Sequence, residues 1–170
     1  MIDCVLVQIP IEEQSALAGD AAAIWQIIER SEQNGRRLEL GEAWGGLHFV
    51  LSGEVPIPKQ EALRRGISWD DDSMENVLFG GMEVPYVTSW GLARYLEPAT
   101  VARMARQLSA ISLQEFQDRY DPEALQDEGI PPDAWEEPET RDWLAARFLE
   151  LVEFYKNAAL KRAGILICMI

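Results

Sequence analysis

The sequence predicts an α+β domain in which a small mixed sheet, holding both terminal segments, is packed with several helices. Three observations carry that reading. Residues 2–9 (Ile-Asp-Cys-Val-Leu-Val-Gln-Ile) and the closing run Ile165 to Ile170 are rich in β-branched residues and apolar on both alternating faces. Strands of that kind are covered on both sides, so these two are expected to pair at the centre of the sheet. From Pro138 to Ala163 the apolar residues Leu144, Phe148, Leu151, Tyr155 and Ala158 recur at steps of 4, 3, 4 and 3, which marks a long C-terminal helix. Finally, 170 residues that are 48% hydrophobic and 26% charged suit one packed domain over 1–170, undivided by any repeat or low-complexity linker.

The elements follow in order. Pro10 ends the first strand. Residues 11–33 read as one broken or two short helices: Gly19 interrupts, Asp20 is a cap for the second piece, and Ile24, Ile27 and Ile28 are its apolar stripe. Asn34-Gly35 is a stop signal. Between Leu38 and Gly53, the residues Leu40, Trp44, Leu47, His48 and Leu51 share one helical face despite Gly45 and Gly46, while a strand over His48 to Leu51 is the competing reading. Residues 54–75 read as irregular. Val77 to Thr88 reads as strand–turn–strand, with Gly80-Gly81 as the turn and Pro85 at an edge or a bulge. Trp90 to Leu96 reads as a short helix capped by Thr88 or Ser89.

Pro98 suits the first turn of a helix striped by Val101, Met104, Ala105 and Leu108. Ser112-Leu-Gln-Glu115 is a capping box for a helix carrying Phe116 and Tyr120, and Asp121-Pro122 restarts a turn of helix that stops near Gly129. In the long final helix, Trp143, Val152 and Ala159 widen the stripe. Glu136, Glu137 and Glu139 at its start and Lys161 and Arg162 at its end complement the helix dipole. Gly164 is placed as the cap that releases the chain into the last strand.

Charge narrows the function. Lys plus Arg is 15 and Asp plus Glu is 29, a net charge of −14 that disfavours nucleic-acid backbones and anionic membrane surfaces as partners. The charge is concentrated: Asp121, Glu123, Asp127, Glu128, Asp133, Glu136, Glu137, Glu139 and Asp142 are opposed only by Arg141, so 22 residues carry −8 of it. Segment 121–142 is either a solvated connection leading into a helix N-terminus or a docking surface for a basic protein, with Ile130, Pro131 and Trp135 as its apolar anchor. The first basic residue is Arg30, so the start lacks a signal peptide's basic region, and the Ile165–Ile170 run is far short of the ~20 residues of a membrane span. A cytoplasmic protein is expected.

The sequence assigns no catalytic, cofactor-binding or metal-ligating residue. There is no Gly-x-Gly-x-x-Gly, no Walker-type loop and no Gly-x-Ser-x-Gly elbow. The single histidine, His48, lies on an apolar stripe and reads as a core or semi-buried residue; as a general base it would need a nucleophile within ~3 Å. Asp70-Asp71-Asp72 is a turn with a helix cap in one reading and a weak Mg²⁺ or Ca²⁺ site in the other. Cys4 and Cys168 read as buried thiols that pack as small hydrophobes. Trp44, Trp90 and Tyr95 read as core aromatics or as the lining of a pocket.

The stretch Trp44-Gly-Gly-Leu-His48-Phe-Val-Leu-Ser-Gly53 resembles the Trp-x-x-Leu-His-x-x-Leu-Ser/Thr-Gly signature of the YfbM-like proteins, small bacterial proteins classed as a domain of unknown function. Asn76-Val-Leu-Phe-Gly-Gly81, Arg94-Tyr-Leu, the Leu113 to Leu125 stretch with Phe116, Tyr120 and Pro122, and the closing long helix and strand are also similar. The resemblance covers nearly the whole chain. It implies a compact α+β fold and a cytoplasmic bacterial protein, and brings no established activity or site residues.

Two functions stand from these readings. One is a non-enzymatic module that binds a basic protein through acidic segment 121–142, in the manner of an immunity protein or antitoxin. The other is a small-ligand binder or enzyme with a pocket near Trp44 and His48, where the pair is otherwise a structural corner with the imidazole bonded to a backbone carbonyl. Oligomeric state is left open by the sequence.

Overall fold

A computed structural model describes all of residues 1–170. Five strands, β1 (Cys4–Ile9), β2 (Arg37–Glu39), β3 (Met82–Thr88), β4 (Gly91–Leu96) and β5 (Gly164–Met169), form one sheet in the order β2-β1-β5-β4-β3. The two terminal strands pair at its middle, from Cys4 opposite Met169 to Ile9 opposite Gly164, and every residue of both is buried. All four ladders are antiparallel, so the sheet is not the mixed one expected. Each connection between neighbouring strands returns the chain in the opposite direction.

Helices cover both faces. A 3-10 helix (Ile11–Ala18) and α1 (Ala21–Gln33) lie over one, where Ile24, Ile27 and Ile28 meet Val5, Val7, Ile9, Tyr95, Leu166 and Cys168. The larger core lies on the other face, under α2 (Ala43–Ser52), α4 (Asn76–Phe79), α5 (Pro98–Ala110), α6 (Leu113–Asp118), α7 (Pro122–Asp127) and α8 (Pro138–Leu160). All five stripe residues of α8 are buried there, and Phe148 stacks on Phe116 with ring centroids 4.2 Å apart. The caps read from sequence are made: Asp20, Ser112 and Asp121 each accept from the backbone N–H three residues on, at 2.9, 3.0 and 3.0 Å.

Several local expectations are corrected. First, Leu38 belongs to the three-residue β2, Leu40 is buried ahead of the helix, and α2 starts only at Ala43; the strand reading of His48 to Leu51 falls with it. Residues 54–75, expected to be irregular, contain the short α3 (Lys59–Arg64). Second, Val77 opens no strand. Asn76 anchors the single turn α4 by donating to the Asp70 and Ser73 carbonyls and accepting from Trp69 Nε1. Gly81, at φ 93°, joins α4 to β3, and a Cβ there would lie 2.6 Å from the Tyr95 carbonyl oxygen. Pro85 does sit on an edge strand, within a shifted register between Glu83 and Val87.

Third, Trp90 to Leu96 is not a helix. Gly91 to Leu96 is β4, because Arg94, Tyr95 and Leu96 pair with Ile167, Leu166 and Ile165 of β5. Thr88 closes the β3–β4 turn instead of capping a helix, donating from Oγ1 to the Gly91 carbonyl at 2.8 Å. Fourth, Gly164 is not a cap. The long helix closes at Lys161, Arg162 takes the left-handed conformation (φ 53°), and Gly164 is the first residue of β5. It is glycine for lack of room, since a Cβ would lie 2.3 Å from the Tyr95 hydroxyl.

Cys4 and Cys168 lie on adjacent strands but face opposite cores, which excludes a bond between them. Burial pushes both thiols up, Cys168 to about 12 and Cys4 further. Because only the thiolate reacts, neither should be alkylated by iodoacetamide in the folded protein at pH 8, and both should react in denaturant. Mass spectrometry of native and denatured samples checks this. Rapid native labelling at either position would contradict the burial.

Candidate functional site

Helix α2 sets Trp44 and His48 one turn apart, facing α4 and the β3–β4 turn. Trp44 donates from Nε1 to the Ile2 carbonyl at 2.8 Å, tying the helix to the chain just before β1. Its ring lies 5.3 Å from Trp90 and 6.0 Å from Phe79, and His48 stands edge-on to Phe79 at 4.7 Å. His48 is 1% exposed, and neither ring nitrogen has a hydrogen-bond partner. The carbonyl bond expected of it is therefore not made. Burial pushes its pKa down to about 4, so the imidazole is neutral at pH 7. No principal cleft of the molecule is lined by Trp44 or His48. The pair forms a packed corner rather than a pocket.

Trp90, in contact with Trp44, also lines a separate cleft. Strand β4 turns Arg94 toward the α4 face, where Nη2 donates to the Leu78 carbonyl at 3.0 Å and the guanidinium carbon lies 5.3 Å from the Phe79 ring centre. Arg94 is 2% exposed, makes no ion pair, and leaves Nε buried without a partner. Burial lowers its pKa from the usual arginine value, an effect partly offset by Cys4, Cys168 and, least, Glu83 on the neighbouring strand. Together with Trp90, Glu83, the α3 residues Glu61 and Arg64, and Arg65 at the end of α3, it walls a cleft of about 260 Å³. Sequence reasoning names Arg94 only within the resembling Arg94-Tyr-Leu stretch and gives it no role. A single arginine between Ala93 and Tyr95 carries no signal of its own, and its burial comes from the cover of α4 and the partner strand.

Asp70, Asp71 and Asp72 do not converge. Asp70 Oδ1 accepts from the Asp72 N–H at 2.9 Å, Asp71 pairs with Lys59 at 2.6 Å, and Asp72 pairs with Arg103 at 3.4 Å. The triplet is a turn stapled to α3 and α5, and nowhere do three His, Cys, Asp or Glu groups gather as a cation site would need.

In segment 121–142 all nine acidic side chains are exposed, and Asp142 alone has an ion pair, with Arg141 at 3.7 Å. The expected apolar anchor is corrected: Ile130 and Trp135 are 4% and 1% exposed and point into the core. Trp135 donates from Nε1 to the Ile130 carbonyl at 2.6 Å, and the Tyr120 hydroxyl donates to the Trp135 carbonyl at 2.5 Å. Gly46 of α2 makes room for the indole, since a Cβ there would lie 2.4 Å from Trp135 Cη2. The strip is thus an acidic strap fastened from beneath. No helix of the chain is long and apolar enough to cross a membrane.

Comparison with known proteins agrees with this architecture. No curated protein matches the sequence. The crystal structure of YfbM from Escherichia coli, described as a protein of unknown function, superposes on the chain with a TM-score of 0.67 over 100% of both chains at 18% identity, a likeness of fold. Residues 2–168 match the family model for a domain of unknown function, DUF1877. With that match running from before β1 through every helix and into β5, the chain belongs to the DUF1877 family.

Proposed function

We propose that the protein is a non-enzymatic, cytoplasmic binding module that engages a basic protein partner through the strap 121–142, as an immunity or antitoxin-like protein would. The observation supporting this reading is the exposure of nine carboxylates beside a single arginine. Carboxylates held this close repel one another, and a basic partner relieves that repulsion while steering its own approach. The fastening of the strap by Trp135 adds a second support, because a pre-ordered surface loses little conformational freedom on binding.

The test compares the protein with a variant carrying Asp127→Asn, Glu128→Gln, Glu136→Gln and Glu137→Gln. Each is used as bait in lysate of the native bacterium, at about 50 mM and about 500 mM salt, where screening differs severalfold. The expected result is a basic protein retained by the unaltered chain at low salt, released at high salt, and not retained by the variant. No enrichment, or equal enrichment on both baits, would count against the proposal.

A further inference from the structure

We infer that the cleft between α3 and the β3–β4 hairpin binds the oxyanion of a small carboxylate or phosphate ligand, with Arg94 as its buried contact. The case begins with an uncompensated charge. A guanidinium has five N–H donors in a planar fork, and the one bond Arg94 makes within the chain uses Nη2. Its Nε is buried and has no hydrogen-bond partner within the chain. A buried cation of this kind normally sits against a carboxylate, and here none is within ion-pair distance. The Phe79 ring face offsets part of the charge but cannot accept the fork.

The two acids of the cleft do not fill that role. Glu61 is held by Arg64 at 3.0 Å and Arg65 at 2.8 Å. Glu83 stands directly across the ladder from Arg94, yet it is exposed and forms no ion pair with it. The walls therefore carry three arginines against two glutamates, in a chain whose net charge is −14. An anion entering here meets a local excess of positive charge, and Trp90 and Leu92 add apolar lining beside it. At about 260 Å³ the space is slightly below the usual range for ligand pockets, roughly 300–1,000 Å³, which selects small acids over nucleotides. Arginine suits the task because its fork matches two oxygens of a carboxylate or phosphate at once.

The full-length chain, labelled with ¹⁵N, is titrated with inorganic phosphate and separately with succinate at constant ionic strength, following the Arg94 Nε–H and Trp90 Nε1–H signals. The expected result is a saturable shift of both signals with at least one probe, and which probe acts identifies the oxyanion as a phosphate or a carboxylate. Arg94→Lys, which keeps the charge and loses the fork, should weaken that binding at least tenfold. If this variant does not fold, the titration of the unaltered chain decides alone. Shifts that do not saturate, shifts confined to residues outside the cleft, or undiminished binding by folded Arg94→Lys would each overturn the proposal.

Discussion

Replacing Trp135 by alanine should lower the stability of the domain by about 3–5 kcal/mol, the range for removing a fully buried large aromatic. The residue is 1% exposed and its ring tip occupies the space left by Gly46. It also closes the hydrogen bond to Ile130 and carries the carbonyl that the Tyr120 hydroxyl uses. The loss should therefore concentrate in one region. Amide exchange in residues 121–137 should rise by more than in the central strands, and limited proteolysis should cut first near Gly129, whose exposed turn separates α7 from the loop. Urea unfolding gives the magnitude, and exchange mapped by mass spectrometry gives the location. Unchanged midpoints, or loosening spread evenly over the sheet, would show that the strap is not fastened by this side chain. Trp135→Phe keeps part of the volume and should fall between the two.

The second large effect is a pH dependence. With a folded pKa of about 4 against roughly 6.5 in the unfolded chain, His48 is neutral in the native state at pH 7. Below pH 6.5 the unfolded chain takes up a proton that the folded chain refuses. Stability from this group is thus full above pH 6.5, declines as pH falls, and levels off near pH 4, for a total loss of about 3 kcal/mol. His48→Leu is close in volume and removes two buried nitrogens without partners. It should raise stability at pH 7 by about 1–2 kcal/mol and flatten the slope between pH 6.5 and 4. Unfolding free energies of both proteins across that window test the assignment, and a slope that survives in His48→Leu would place it elsewhere.

What could be read from the sequence divides along sequence separation. Asp20, Ser112 and Asp121 announce helix starts because each cap bond closes within three residues. The α8 stripe is legible because its period repeats over five residues that face one core. Strand β4 is different. Ala93 and Tyr95 face one core while Leu96 faces the other, all are buried, and the partner that makes them a strand lies some seventy residues away. No alternation survives to be seen. The four residues of α4 span one turn, too short to show a period, and the sum of Asn76's contacts decides their conformation.

The site follows the same division. Trp44 and His48 stand out as a pair because they are one turn apart. Arg94 is conspicuous only for a neighbour it lacks, and such a property belongs to three dimensions. In the sequence Ile130 and Trp135 read as a surface anchor because acids surround them. Their flanking charges point outward because these two residues turn inward.

The pairing of β1 with β5 has a bearing on synthesis. The strand that joins the β1–β2 half of the sheet to the β3–β4 half is supplied by residues 164–169. While a ribosome still shelters that stretch, the nascent chain holds two hairpin-sized fragments, each with an open apolar edge and neither with a complete core. Closure of the sheet thus waits for contacts between residues far apart in the sequence, the kind that form slowly and leave apolar edges open in the meantime.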